Sequence, residues 1–242
     1  MILSEGGNVF KDAKGQPLTS RISRENVMPT VQWLEQLTGL NLVDNMLGST
    51  GRKDTSGDLD LGVDETKITK DVLIQQLLKR GIKAEDIKKS GDSVHVKTPI
   101  LGDSSNGFVQ TDFMFGDPEF QKFSLTAASE SDYKGVHRAI LLASIAKAQG
   151  MKWSYKNGLM DRETNEIITK NPQEIAQKLI NGTTADLSSV ESIVKKIKAL
   201  PNYEELVKDA RDAFERDKLT LPEDTVLPGT GSWYRQFLNK RI

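Results

Sequence analysis

The chain has 242 residues, 37% of them hydrophobic and 28% charged, which gives room for one or two domains and the composition of an ordinary soluble globular protein. It has no cysteine, which excludes disulfides and zinc–thiolate sites and fits a reducing cytoplasm. Its 33 basic and 34 acidic residues leave a formal net charge of -1, which argues against a nonspecific duplex binder.

In chain order, the opening MILSEGGNVF has no basic leader followed by an apolar core, and no apolar run approaches the about 20 residues of a membrane span. A cytoplasmic protein with no membrane partner is therefore expected. VFKDAKGQPLTSRI predicts a short strand–turn–strand with Asp12 to Pro17 as the turn. A helix follows from around Asn26 or Pro29, with Val31, Leu34, Leu37 and Leu40 at helical spacing and Gly39 ending it. NLVDNML, Asn41 to Leu47, reads as a strand leading into a glycine loop. Then DLDLGV, Asp58 to Val63, alternates. Side chains two apart on a strand share a face, so Leu59, Leu61 and Val63 face the core while Asp58 and Asp60 share the opposite side.

TKDVLIQQLLKR, Thr69 to Arg80, predicts a helix with Thr69 as N-cap, Asp71 in the first turn, Lys79 and Arg80 in the last, and Gly81 after it. SVHVKTPI and GFVQTDFMFG follow as strands joined by LGDSSN. In the second of these, Val109, Thr111, Phe113 and Phe115 share one face, and Phe108, Gln110, Asp112 and Met114 the other. Asp112 is the only charge in that segment.

The pattern then turns mainly helical, and a domain boundary is expected between residues 128 and 129. SDYKGVHRAILLASIAKAQ predicts a helix, Trp153 to Ile168 a small hairpin with DRETNE as its turn, and PQEIAQKLI a helix from Pro172 to the Asn181-Gly182 stop. Helices from about Ser188 to Ala199 and Tyr203 to Asp217 complete this part. Trp153 and Tyr155 on one strand face read as core contacts. In the tail, Trp233 and Phe237 are four apart on one helical face, with Tyr234 beside them, a pattern that fits docking on the C-terminal helices and also contact with nucleic acid or a protein partner.

Paired carboxylates on a strand edge serve to bind divalent cations, to do acid–base chemistry or to cap surface turns. Asp112 weighs on this choice, because a carboxylate in an apolar strand needs a cation or donors. If its strand lies beside that of Asp58 and Asp60, three acids converge, and magnesium is the natural counter-ion, a hard cation that also takes phosphate oxygens. The Gly48-Ser49-Thr50-Gly51 loop offers N–H groups and hydroxyls to a phosphate, with Arg52 and Lys53 adding charge. The Gly-Lys-Ser/Thr of a P-loop is absent. His95 and His137, the only histidines, have no ligand spacing to one another.

LGST, seven residues, DLD and a distal TD in a strand resemble the nucleotidyltransferase superfamily typified by DNA polymerase beta. The resemblance covers residues 27 to 116, and the overall layout is also similar to nucleotidyltransferase-domain proteins of tailed bacteriophages. It implies an α+β fold, a mixed sheet flanked by helices, with residues 1–128 as the catalytic domain. A mainly helical domain, 129–242, would complete the nucleotide site. It further implies two Mg2+ ions, with Mn2+ as a substitute, held by Asp58, Asp60 and Asp112. An NTP, expected to be ATP, would bind at Gly48, Ser49, Thr50, Arg52 and Lys53. Lys134 and Arg138, four apart on one helix face, would contact its phosphates. The reaction implied is transfer of NMP to an acceptor hydroxyl with release of pyrophosphate; RNA, protein and small molecules are the acceptor classes. A nucleotide-binding or structural protein of the same fold, associated with a virion and its structural proteins, is the alternative reading. A binding module needs no such triad with a glycine loop, and a phosphohydrolase is left open.

Overall fold

The computed structural model describes residues 8–222, which divide between Thr126 and Ala127 into two units. The tail residues Trp233, Tyr234 and Phe237 lie outside the described residues. Among the described residues, no helix is long and apolar enough to cross a membrane.

In the first unit, Asp12 to Gln16 form a turn closed by a bridge between Lys11 and Pro17. Strand β1 (Ile22–Ser23) runs into helix α1 (Arg24–Thr38). The helix starts earlier than its sequence suggests, so Pro29 lies inside it rather than at its head. Gly39 ends it in the left-handed region, φ 71°, donating its N–H to Glu35 O at 2.7 Å.

The expected strand over Asn41 to Leu47 is absent: the segment is a set of turns, with a single bridge from Met46 to Leu61. Its polar residues explain this. Asn41 donates to Asp44, Asn45 donates to Asn41 O, and Glu35 accepts the N–H groups of Leu42 and Val43. Local side-chain bonds of this kind compete with strand pairing.

After β2 (Thr55–Ser56), which pairs with β1, come β3 (Asp58–Asp64), α2 (Lys70–Lys79), β4 (Ile87–Ser90), β5 (Ser93–Pro99), β6 (Phe108–Gly116) and α3 (Pro118–Leu125). Thr69 caps α2, accepting from the Val72 N–H at 3.3 Å. Besides the two-residue β2, two elements escaped the sequence reading. β4 is polar and lacks alternation, although the Gly91-Asp92 pair that follows is a hairpin turn. α3 is opened by Asp117, whose side chain accepts the Glu119 N–H, with Pro118 in its first turn.

The sheet order is β3-β6-β5-β4, with β3 and β6 parallel and the other pairs antiparallel. One face buries Leu59, Leu61, Val63, Val94, Val96, Val109, Phe113 and Phe115 together with Val31 and Leu34 of α1 and Leu73 and Leu77 of α2. The opposite face is polar. α3 covers it at Gly62, where a Cβ would come within 3.0 Å of Gln121 Oε1. Val9 and Phe10 cover it at Gln110 and Lys88.

The second unit holds α4 (Gly135–Ala148), β7 (Met151–Ser154), β8 (Gly158–Asp161), β9 (Ile167–Thr169), α5 (Pro172–Ile180), α6 (Val190–Ile197) and α7 (Tyr203–Arg216). The expected hairpin is a three-stranded antiparallel sheet, order β7-β8-β9. β7 stops at Ser154, so Tyr155 does not share a strand face with Trp153. α5 is capped by Asn171, which accepts from the N–H groups of Gln173 and Glu174, and ends at Asn181 in the left-handed region, φ 48°. Ile193, Val194, Ile197, Leu206, Val207 and Phe214 give α6 and α7 their buried faces.

Candidate metal centre

The register of β3 against β6 makes the site. Asp60 stands opposite Asp112 and Asp58 opposite Gln110, on adjacent parallel strands. Alternation turns all four away from the apolar core. Asp58, Asp60 and Asp112 each offer a carboxylate oxygen within 4.8 Å of the other two. Asp112 is buried, and Asp58 and Asp60 are half-buried. Burial first, then the charges of Asp58 and Asp112, push the Asp60 carboxyl well above its ordinary value. Three carboxylates at this spacing repel one another, and a hard divalent cation with oxygen ligands offsets that repulsion. The donor set, all carboxylate and without sulfur or nearby paired imidazoles, fits magnesium.

Asp112 has partners the sequence did not announce. His95 on β5 is its cross-strand neighbour, and His95 Nδ1 lies 2.7 Å from Asp112 Oδ1. Gln110 Nε2 donates to the same oxygen at 3.0 Å. The strand SVHVKTPI is legible in the sequence, but its pairing with the Asp112 strand is a tertiary fact that periodicity does not carry.

The glycine loop is stitched to the free edge of β3. Leu47 N–H donates to Asp60 O at 2.8 Å, Gly62 N–H to Asn45 O at 2.8 Å, and Asp60 N–H to Thr50 Oγ1 at 3.0 Å. Gly48 sits at φ +58°, and a Cβ there would come within 3.4 Å of Asp60 Oδ2, so glycine serves both the turn and the close approach to the acid. Ser49 is exposed, and the N–H groups of Gly48 and Ser49 donate no hydrogen bond among the described residues. Thr50 is buried, its hydroxyl engaged with the β3 backbone. Arg52 and Lys53 follow on the exposed part of the turn.

Lys134 and Arg138 belong to the second unit. Lys134 is the N-cap of α4 and exposed; its carbonyl accepts the Arg138 N–H at 3.3 Å, while the Arg138 side chain is buried. Arg138 is 1% exposed, donates from Nε to Leu187 O, and burial lowers its pKa to about 10. Compared with known proteins, the sequence matches no protein-family model and no curated protein.

Proposed function

We propose that this chain is a metal-dependent nucleotidyltransferase of the polymerase-beta-like class, moving an NMP from an NTP, ATP in the first instance, to an acceptor hydroxyl with release of pyrophosphate. The observation that carries the reading is the convergence of Asp58, Asp60 and Asp112 on adjacent strands within 4.8 Å. The Gly48 turn, which lies against Asp60, supports it. Asp58, Asp60 and Asp112 would hold the magnesium ions. Cations held there would neutralise triphosphate charge and lower the pKa of an attacking hydroxyl.

The chain's own residues do the rest. The N–H groups of Gly48 and Ser49 and the Ser49 hydroxyl bind the outer phosphates, with Arg52 and Lys53 as mobile counter-charges. Thr50 holds the β3 backbone at Asp60. Asp112 takes the acceptor proton as the new oxygen–phosphorus bond forms and the bond to pyrophosphate breaks.

The test is transfer of label from the four alpha-labelled NTPs, with Mg2+ or Mn2+, into total RNA, total protein and the chain itself. Asp58→Asn with Asp60→Asn is the control. Label that appears in one pool and is lost in the double variant establishes the activity and names the acceptor class. No label in any pool, with no metal-dependent NTP binding, sinks the proposal.

A further inference from the structure

His95 is held at both ring nitrogens. Nδ1 faces Asp112 Oδ1 at 2.7 Å, and Nε2 faces the Ser90 hydroxyl of β4 at 2.9 Å. The His95 and Asp112 side chains are only 12% and 11% exposed. An ionised carboxylate can only accept hydrogen bonds, so Nδ1 carries the ring proton toward Asp112. The Ser90 hydroxyl, which can donate or accept, meets Nε2 on the far side of the ring. The two contacts fix the ring's orientation, with Nδ1–H toward Asp112.

From the other side, Gln110 Nε2 reaches Asp112 Oδ1 at 3.0 Å and Oδ2 at 3.3 Å, while Gln110 Oε1 accepts the Val9 N–H at 2.9 Å. Oδ1 thus receives two short donors, and Oδ2 only one longer contact. One carboxylate oxygen is committed to the sheet, and the other keeps most of its lone-pair capacity.

We infer that His95 is a positioning residue for Asp112 as a cation ligand: it fixes Oδ1 so that Oδ2 is presented to the metal. This role rests on the metal-centre reading above. Groups that hydrogen-bond a ligating side chain set its orientation, and their removal typically costs about 10–100-fold in metal affinity.

The experiment titrates Mn2+ alone into the full chain, reading free Mn2+ by electron paramagnetic resonance, for wild type, His95→Phe and His95→Asn. Phe keeps the ring and loses the Nδ1–H; Asn keeps an N–H donor close to the same place. The expected result is affinity weaker by about tenfold or more for Phe, with Asn restoring most of it. Binding by the Phe variant within about twofold of wild type, in a protein that melts as wild type does, overturns the inference and leaves the metal centre standing. In parallel, 1H–15N correlation of the wild-type ring reads the tautomer without any substitution. Nδ1–H is expected, and a ring without Nδ1–H overturns the inference even if the variants fail to fold. A wild type that binds no Mn2+ brings down the metal-centre reading itself, and the ligand-positioning role with it.

Discussion

On one face of the four-stranded sheet, Leu59, Leu61, Val109 and Phe113 are fully buried; on the other, from the same two strands, stand Asp58, Asp60, Gln110 and Asp112. The side chains alternate residue by residue, so a one-residue change of register would exchange the two sets. Each apolar residue contributes about 1.5–3 kcal/mol by leaving water. The acid face does the reverse: it gathers like charges in a place shielded from water, and burial first, then the charges of Asp58 and Asp112, raise the Asp60 pKa. The core face therefore carries the stability that lets the acid face hold an arrangement unfavourable without a cation. Such a division predicts opposite responses to substitution on the two faces.

The largest effect belongs to the acids. Asp58→Asn with Asp60→Asn is expected to lower the proposed nucleotidyl transfer by at least about a thousandfold, because cation charge stabilisation of several kcal/mol would be lost. The same double variant is expected to melt above wild type in the absence of metal, by about 2–4 °C for each kcal/mol of repulsion relieved. Calorimetry in chelator measures this, and a lower melting temperature breaks the comparison. On the other face, Phe113→Ala is expected to cost about 3–5 kcal/mol of stability, read by urea unfolding. The fraction that stays folded keeps its Mn2+ affinity, since the ring touches the core and not the acids.

What the sequence showed of this was uneven, and the reasons are physical. The strand DLDLGVD and the strand around Asp112 were legible because period-two alternation is a local property, and Leu59, Leu61, Val63 and Phe113 obey it. Gly39 was legible as a stop, since it takes a left-handed φ. The segment Asn41 to Leu47 misled because its apolar residues mimic a strand while Asn41, Asp44 and Asn45 tie it into turns. His95 and Gln110 as partners of Asp112 were not legible at all, because cross-strand neighbours depend on sheet order. The spacing of Lys134 and Arg138 did not carry their burial: Lys134, the N-cap of α4, is exposed and Arg138 is buried.

The next effect concerns pH. In the unfolded chain Asp60 titrates near its ordinary 3.8, while in the native state it is raised. Between those two values the native state holds the extra proton. Metal-free stability therefore falls as pH rises through that window, by at most about 1.4 kcal/mol per pH unit. Asp64 and Asp103 act with the opposite sign. The Thr66 hydroxyl and N–H hold Asp64 down, and the Ser105 N–H holds Asp103 down, so their contribution is lost only as pH falls below the ordinary carboxylate range. Saturating Mg2+ should remove the fall on the rising side, because the bound cation keeps Asp60 ionised, and binding should release a proton. Melting curves between about pH 4 and about pH 8, with and without Mg2+, check the first expectation. Calorimetric Mg2+ titration in two buffers of different ionisation enthalpy checks the second. A metal-free profile with no decline through this range would show that the acids do not strain the fold.

The smallest effect tests how the acid face is held. Thr50 is 5% exposed, and its hydroxyl accepts the Asp60 N–H at 3.0 Å on the edge of β3 that has no neighbouring strand in its sheet. Thr50→Val keeps the shape and leaves that N–H without its acceptor, at an expected cost of about 1–3 kcal/mol. Thr50→Ser keeps the oxygen and should stay near wild type. Because the lost bond is to the backbone of a proposed ligand, the Val variant should also bind Mn2+ more weakly than Phe113→Ala does, although it is the less destabilised of the two. If instead Thr50→Val loses stability while its Mn2+ affinity is unchanged, Asp60 is placed by its pairing with β6 alone. The glycine loop would then serve the phosphates and not the acids.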